Sequence, residues 1–588
     1  MYNMELSLEQ SNAVVYDGNT YVSACPGSGK TRALTARIAK GVLELSSRSE
    51  KVLAVTFTNR AAEELRSRIE SNHTYDHHRL WAGTIHSFAL DWIIKPYAAY
   101  LDLTKNGYSI VDEYESKRVL AKLKKECGVG VYDDVNTRLD RFGNAYNKSK
   151  SAEAVLEKYH QFLRVNKKID FDQVLYLAFL IVSGRKEVSQ TLCSLFPLIC
   201  IDEAQDVSDL QYAILSEIYS GGKIKPKLFI VGDTNQAIYT NIGAVSRDVD
   251  ELNIEFEGAN LRLFEFKDNY RSTQRVVDYF SYFREVKGVV SKASYSNERG
   301  VIKFFNKSID KAQLPDVIAK IIQATIDSGV SEREICVIAP QWVHIRTIAR
   351  GLIKLLPDIK FDAPALTPFY GQQDNFWLLI AKLVLTEPSG RLVSTRSRWA
   401  SEALEKLDRE FGFAVDRNSR ELLYIVNSFF SLENVGTTYL SECFVYMMSR
   451  LGLDLAGRLK DEYDVFFEKA RKNIEANEGQ YENNICVFKS FFKESVGVVI
   501  NTCHGVKGEE YNTVIAYGLL RGFIPHWNDI IDRPDYVGLN SESKMLYVIA
   551  SRAKKNLYLF SESGRMTNSK RPYQTSGVIQ NYKYGYDL

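Results

Sequence analysis

Short apolar runs that give way at once to polar turn or helix residues recur along the chain. Tyr21–Ser23, Val52–Phe57, Leu198–Ile201 and Leu228–Val231 form one set, and Ile335–Ala339, Gly497–Ile500, Thr513–Ala516 and Leu557–Phe560 a second. Near-continuous apolar runs of this length predict strands buried on both faces, as in parallel sheets covered by helices, with chemistry at the carboxyl ends of the strands. Residues 91–190 and 376–490 have a different character. Lys, Tyr and Leu recur there at helical spacing, as in Glu115–Lys125 and Asp464–Lys472, which predicts mostly helical insertions. The expected class is therefore α/β. A first α/β domain is expected over 1–90 and 191–265, interrupted by 91–190, and a second over 266–375 and 491–588, interrupted by 376–490.

Composition narrows this little. At 588 residues the chain needs several cores, and 45% hydrophobic with 25% charged residues suits an ordinary globular protein. The formal net charge of +2 makes no global case for nucleic acid, so any such affinity must come from a local groove. The eight cysteines form no CxxC pair, which suggests neither a zinc site nor a disulfide framework and suits a reducing cytoplasm. The first ten residues lack the pattern of a signal peptide. The longest apolar run, Val174–Val182, is too short for a bilayer, so no membrane partner is expected, and it reads as a buried helix or strand.

Candidate chemistry sits where the strands end. Ala24-Cys25-Pro26-Gly27-Ser28-Gly29-Lys30-Thr31 follows a strand and opens a helical stretch, Arg32–Glu44. Its glycines let backbone N–H groups wrap a phosphate, Lys30 would reach the β- and γ-phosphates, and the Thr31 hydroxyl would bind Mg2+. Asp202 and Glu203 close the Leu198–Ile201 run, where Asp202 can hold the metal and Glu203 can polarise an attacking water. A third strand ends in Gly232-Asp233-Thr234-Asn235-Gln236, which brings Gln236 toward the γ-phosphate. The same letters also admit a bland reading, since a Gly-rich turn can merely start a helix and an Asp-Glu pair is usually a solvated surface pair.

Taken in order, these and further motifs resemble those of the UvrD/Rep-like (superfamily 1A) helicases. Leu6–Val14 looks like the Q motif, Ala54–Leu65 and Gly83–Phe88 like DNA-contacting motifs, and Ile169–Asp172 like a signature before the acidic box. Val231–Ala244, Asn269–Thr273, Thr502–Tyr511 and Tyr547–Ala553 look like motifs III to VI. The resemblance implies two RecA-like P-loop domains, each with a helical insertion, that hydrolyse ATP with Mg2+ to move 3′-to-5′ on single-stranded or tailed duplex DNA. It puts Gln10 on the adenine, with Arg37 and Tyr270 sandwiching it, and adds Arg32 to the phosphate loop. Gly508 and Glu510 would meet the nucleotide, Glu510 at the ribose, and Arg271 and Arg552 would approach the γ-phosphate from the second domain. Phe57 and Tyr239 would stack on bases, while Asn59, Thr84, His86, Thr502 and His504 would lie along the sugar-phosphate backbone. His86 and His504 can equally be internally bonded histidines, and Phe57 a core residue.

The chain departs from the family pattern at Asn241 and Ile242, where an aromatic residue and an arginine are usual, at Glu509 for leucine and at Ser551 for threonine. With only 28 residues after Phe560, no RecB-like nuclease domain is expected. The compact 376–490 insertion resembles helicase-like subunits that partner a separate nuclease, as in Gabija-type antiphage systems. The competing reading is an ATP- and DNA-sensing module that gates a partner nuclease with little unwinding.

Overall fold

The protein was analysed as a computed structural model that describes residues 5–588, except 71–78, 112, 131–134, 146–149, 240–242, 285–287, 364–366, 373–374, 389–391, 477–481, 493–496, 528–529 and 531–536. It divides into two compact units, Met1–Gly300 with Trp527–Lys555, and Val301–His526 with Asn556–Leu588.

The first unit is built on a six-stranded sheet. Its strands are β1 (Thr20–Ala24), β2 (Val52–Thr56), β3 (Leu80–Thr84), β4 (Leu198–Ile201), β5 (Lys227–Gly232) and β6 (Arg262–Phe266), in the order β3-β2-β4-β5-β1-β6. Every pairing is parallel. The β4 run shows why near-continuous hydrophobicity is needed. Leu198 and Cys200 enter one core with Val22, Phe229 and Val231, while Ile199 and Ile201 enter the core on the opposite face with Leu53, Val55 and Ile230. Helix α1 (Leu8–Val15) starts with a capping box between Ser7 and Gln10, and α2 (Lys30–Glu44) covers the Leu198 face with Ala33, Leu34 and Ile38. Between β3 and β4 the described chain is mostly helical, and Val174–Val182 falls inside the helix Phe171–Gly184.

The second unit holds another six-stranded sheet, from β7 (Ile302–Asp310), β8 (Ile335–Ala339), β9 (Phe361–Asp362), β10 (Val498–Thr502), β11 (Tyr511–Ala516) and β12 (Ala553–Ser563). Its order is β7-β12-β11-β8-β10-β9, and the pairings β7–β12, β8–β11, β8–β10 and β9–β10 are parallel. Between β9 and β10, helices enclose their own core around Trp377, Phe444, Phe466 and Phe488. Trp377 is fully buried, and its indole N–H donates to the Leu459 carbonyl at 3.0 Å.

The α/β class is as the sequence implied. The pattern missed β3, β6, β7 and β9. β6 and β7 are mostly exposed or half-buried instead of running apolar, because each lies at the edge of its sheet, and β9 has only two residues. Residues 266–300 and 527–555 pack with the first unit, whereas the sequence pattern assigned both to the second. Among the described residues no helix is long and apolar enough to cross a membrane.

Gly41 sets the separation of α2 from the sheet, since a Cβ there would overlap the Leu198 Cδ2 methyl and crowd Val52. Gly41→Leu must push away the helix that starts at Lys30. It is expected to cost about 1–3 kcal/mol, as overpacked cores do, read as a lower urea midpoint at unchanged m-value.

Candidate functional site

Each element of the site is a strand end or a helix start in the first unit. β1 ends at Ala24, and the loop closes on itself as the Ser28 N–H and hydroxyl both donate to the Cys25 carbonyl, at 3.2 and 2.7 Å. Gly29 caps α2 with φ 80°, so the helix begins at Lys30 with its first amides free of side-chain caps. That leaves an N-terminal dipole and N–H groups for an anion. From α1 the Gln10 amide reaches this loop, donating to the Ser28 carbonyl at 2.7 Å and accepting from Ser7 N–H at 3.0 Å.

A second turn grips the loop from outside. The Asn269 amide donates to the Pro26 carbonyl at 2.7 Å, and the Tyr270 N–H donates to the Gly27 carbonyl at 2.8 Å. Gly27 has φ 71°, and a Cβ there would meet the Arg271 Cβ, so this approach requires glycine. The Asn269 carbonyl oxygen of the side chain also accepts from Arg271 N–H and Ser272 N–H, at 2.9 and 2.7 Å. The Arg271 guanidinium donates to the Ser551 carbonyl at 3.0 Å, and the Tyr270 ring stays 44% exposed.

The acidic half faces Lys30. Its Nζ lies 3.7 Å from Glu203 Oε1, and Asp202 Oδ1 accepts the Glu203 N–H at 3.0 Å. Burial pushes the Asp202 carboxyl up to about 7; the Glu203 carboxylate adds to the rise and Lys30 opposes it. A carboxylate this poorly solvated is favoured by a cation. Asp202 with the Thr31 hydroxyl supplies the hard oxygen donors, few in number, that suit Mg2+ when phosphate and water complete its shell. Among the described residues no cluster of three or more His, Cys, Asp or Glu forms a metal site of another kind. Glu203 adopts a left-handed backbone, φ 49° and ψ 48°, a conformation that costs a non-glycine residue about 1–2 kcal/mol.

A chain of buried hydrogen bonds runs on from Glu203. Gln205 Nε2 donates to Glu203 Oε2, and Gln205 Oε1 accepts the Asp233 N–H at 2.9 Å. The Asp233 carboxylate accepts from Gln236 Nε2 at 2.8 Å and from the Tyr547 hydroxyl at 3.3 Å. Gln236 Oε1 accepts from Arg552 Nη2 at 3.0 Å. Burial lowers the Arg552 guanidinium to about 9, reinforced by Arg271 and opposed by Glu203, Tyr547 and Asp233. Gln205, Asp233, Asn269 and Tyr547 carry this geometry although the sequence reading gave them no role. The one signal available was that Asp233, Asn269 and Tyr547 lie inside family-like motifs; Gln205 follows the Asp202-Glu203 pair by two residues.

Arg37 is not brought to the site. It lies seven residues beyond Lys30, roughly 10 Å along the helix axis, is 1% exposed, and faces Glu44. Arg32 is the exposed arginine at the loop, bonded to the Glu5 carbonyl at 3.2 Å, and with Gln10 it flanks Gly29. The expectation of Arg37 against adenine is therefore corrected by its burial in the core face of α2.

Phe57, Thr84 and His86 share one cavity of about 250 Å³ with Arg138, Asp172 and Asp206. The Phe57 and Tyr239 rings lie against each other at 4.5 Å between centroids. Thr84 caps a short helix by accepting Ser87 N–H at 3.2 Å, and burial lowers the His86 imidazole pKa, with Asp172 opposing. Asn59 opens the helix Asn59–Glu70, and its side chain, like residues Asn241 and Ile242, is outside the described residues. Thr502, His504, Gly508 and Glu510 belong to the second unit, on the turn from β10 to β11, where Thr502 Oγ1 accepts the Gly505 N–H at 3.0 Å and Gly508 has φ 89°.

Residues 6–142 and 133–257 match the model of the UvrD/REP helicase N-terminal domain, and residues 460–564 match that of the UvrD-like helicase C-terminal domain. The chain is similar to the ATP-dependent DNA helicase PcrA of Leuconostoc citreum, 24% identical over 95% of this chain and 82% of the relative. PcrA of Bacillus subtilis (strain 168) is 24% identical over 94% of this chain and 82% of its own. The ATP-dependent DNA helicase Rep of Buchnera aphidicola subsp. Acyrthosiphon pisum (strain APS) is 22% identical over 94% of each.

Asn269→Ala removes the bonds to Pro26, Arg271 and Ser272 at a fully buried position. A loss of at least about 1–3 kcal/mol of stability is expected, measured by urea unfolding, together with weaker binding of a fluorescent ATP analogue.

Proposed function

Because the chain belongs to the UvrD/Rep-type helicases, we propose that it is an ATP-dependent DNA helicase that moves 3′-to-5′ along single-stranded DNA. The observation that carries this reading is the line of contacts from the Lys30–Glu203 ion pair through the hydrogen bonds of Gln205, Asp233 and Gln236 to Arg552. In this reading 1–90 with 191–265, and 266–375 with 491–588, are the two RecA-like domains, and 91–190 and 376–490 are their insertions.

The chemistry assigned to the residues is phosphoryl transfer to water, in which positioning and charge stabilisation do most of the catalysis. The amides of residues 27–31 and the Lys30 ammonium hold the β- and γ-phosphates. Thr31 and Asp202 would hold Mg2+, which when bound neutralises phosphate oxygens. Glu203 orients the attacking water and takes its proton as the water oxygen bonds to the γ-phosphorus. The bond to the bridging oxygen breaks and ADP leaves. Arg271 and Arg552 offset charge on the transferring group, with Gln236 holding Arg552. Arg32, Gln10 and the exposed Tyr270 ring suit the adenine end, and Gly508 and Glu510 are assigned the ribose end.

Phe57 and Tyr239 are assigned to DNA bases, with Asn59, Thr84, His86, Thr502 and His504 along the backbone. A separate nuclease subunit in an antiphage complex is the finer proposal, supported by the compact 376–490 insertion. Co-expression with a candidate nuclease, read by co-purification, tests it.

Glu203→Gln is expected to lower ATP turnover by about 10²–10⁴-fold with nucleotide binding retained, and Arg552→Ala or Arg271→Ala by about 10³–10⁵-fold. Normal turnover in any of the three removes that residue from the proposed site.

Single-stranded DNA is expected to stimulate hydrolysis, with an affinity that falls steeply as salt rises. Tyr239→Ala should weaken DNA binding by a stacking-sized ~1–3 kcal/mol without altering nucleotide affinity. Turnover that ignores DNA at every salt concentration overturns the translocase reading in favour of a module that gates a partner.

A further inference from the structure

Gln205 is 2% exposed, and both ends of its amide are used. Nε2 donates to the Glu203 carboxylate and Oε1 accepts the Asp233 N–H at 2.9 Å. The two partners fix the orientation of the amide, since the flipped form would set a carbonyl against a carboxylate and an amino group against an N–H. A neutral side chain that donates at one end and accepts at the other is what this gap requires.

Glu203 needs such a restraint. Its left-handed backbone is strained, and strained residues persist only where their surroundings over-determine them. The backbone of the turn is fixed independently of Gln205. Tyr212 donates its hydroxyl to the Ala204 carbonyl at 2.6 Å, and the Asp206 N–H donates to the Glu203 carbonyl at 2.8 Å. Those bonds hold the main chain, while Lys30 and Gln205 both engage the Glu203 carboxylate itself. Lys30 is itself required by phosphate, so the amide is the contact free to orient the carboxylate while nucleotide is bound.

We propose that Gln205 is a positioning residue that aims the Glu203 carboxylate at the attacking water and ties it to Asp233, and through Gln236 to Arg552. This rests on Glu203 being the base. Acting through Asp233, the same amide keeps the two ends of the site, base and arginine, in one register, because the Asp233 carboxylate accepts from Gln236, which accepts from Arg552.

The test is steady-state ATP hydrolysis by the full chain, with and without single-stranded DNA, beside the dissociation constant of a fluorescent ATP analogue. Gln205→Leu removes both bonds. Gln205→Glu has the same length and keeps an acceptor for the Asp233 N–H, but turns the Glu203 contact from attraction to repulsion, and it stands in if the leucine variant fails to fold. Both are expected to lower kcat by about 10–100-fold, the scale of a misplaced reacting group, with nucleotide affinity changed less than about threefold. In a Glu203→Gln background the leucine substitution should cost nothing further, because residues that act as a unit are not additive. Near-native kcat in both Gln205 variants, with Glu203→Gln inactive, overturns the role of Gln205 and leaves the base assignment standing. An equal loss in both backgrounds also overturns it, since Gln205 would then act independently of Glu203. A fully active Glu203→Gln sinks the base assignment itself, and this inference with it.

Discussion

The first unit is organised around a problem of buried charge. Asp202, Glu203 and Asp233 end two adjacent strands, β4 and β5, that are buried on both faces. Parallel strands put these carboxylates on one rim of the sheet. At Asp202 burial, and then the Glu203 charge, favour the protonated form and hold it at about 7. Arg552 has the complementary difficulty, lowered to about 9 by burial and by Arg271. Neither group is well placed without the other sign, and the chain supplies it from distant segments: Lys30 from the start of α2, Arg552 from beyond the Val537–Ala550 helix.

Neutral amides do the joining. Gln10, Gln205, Gln236 and Asn269 each link two elements by donating at one end of the amide and accepting at the other. An amide can bridge a carbonyl or carboxylate to an N–H without adding charge to a site already crowded with it. Replacing any of them by a charged residue would shift the balance that sets Asp202 and Arg552.

How far the sequence revealed this follows from the same physics. Strands buried on both faces write themselves as unbroken apolar runs, so β2, β4, β5, β8 and β11 could be read directly. Edge strands such as β6 expose Arg262, Leu263 and Glu265 and bury only Phe266, so they leave no unbroken apolar run to read. Motif order named Lys30, Asp202, Glu203, Gln236 and Arg552, which the structure brings into one connected group. It failed for Arg37, although the signal was present: Arg37 follows Ala33 and Leu34 by four and three residues and precedes Gly41 by four, so it belongs to the buried stripe of α2. Arg32 falls on the exposed face five residues, or about 140° of helix rotation, away. Gln205 was not legible, because its reach to both Glu203 and Asp233 depends on the left-handed turn at Glu203, which no local pattern in Ile201–Asp206 announces.

That turn also joins the two kinds of candidate site. Gln205 points to Asp233, while its neighbours Asp206 and Val207 line the cavity shared with Thr56, Phe57, Thr84 and His86. On the adjacent strand end, Gln236 bonds Arg552, and three residues later Tyr239 lies against Phe57. Two short turns therefore carry the hydrogen bonds from Glu203 to Arg552 on one side and the aromatic pair on the other. Coupling over such a distance requires a packed element that moves as a body rather than a flexible one. The Ala204–Asp206 turn meets that condition: it is buried throughout and bonded at the Ala204 carbonyl and at the Gln205 amide.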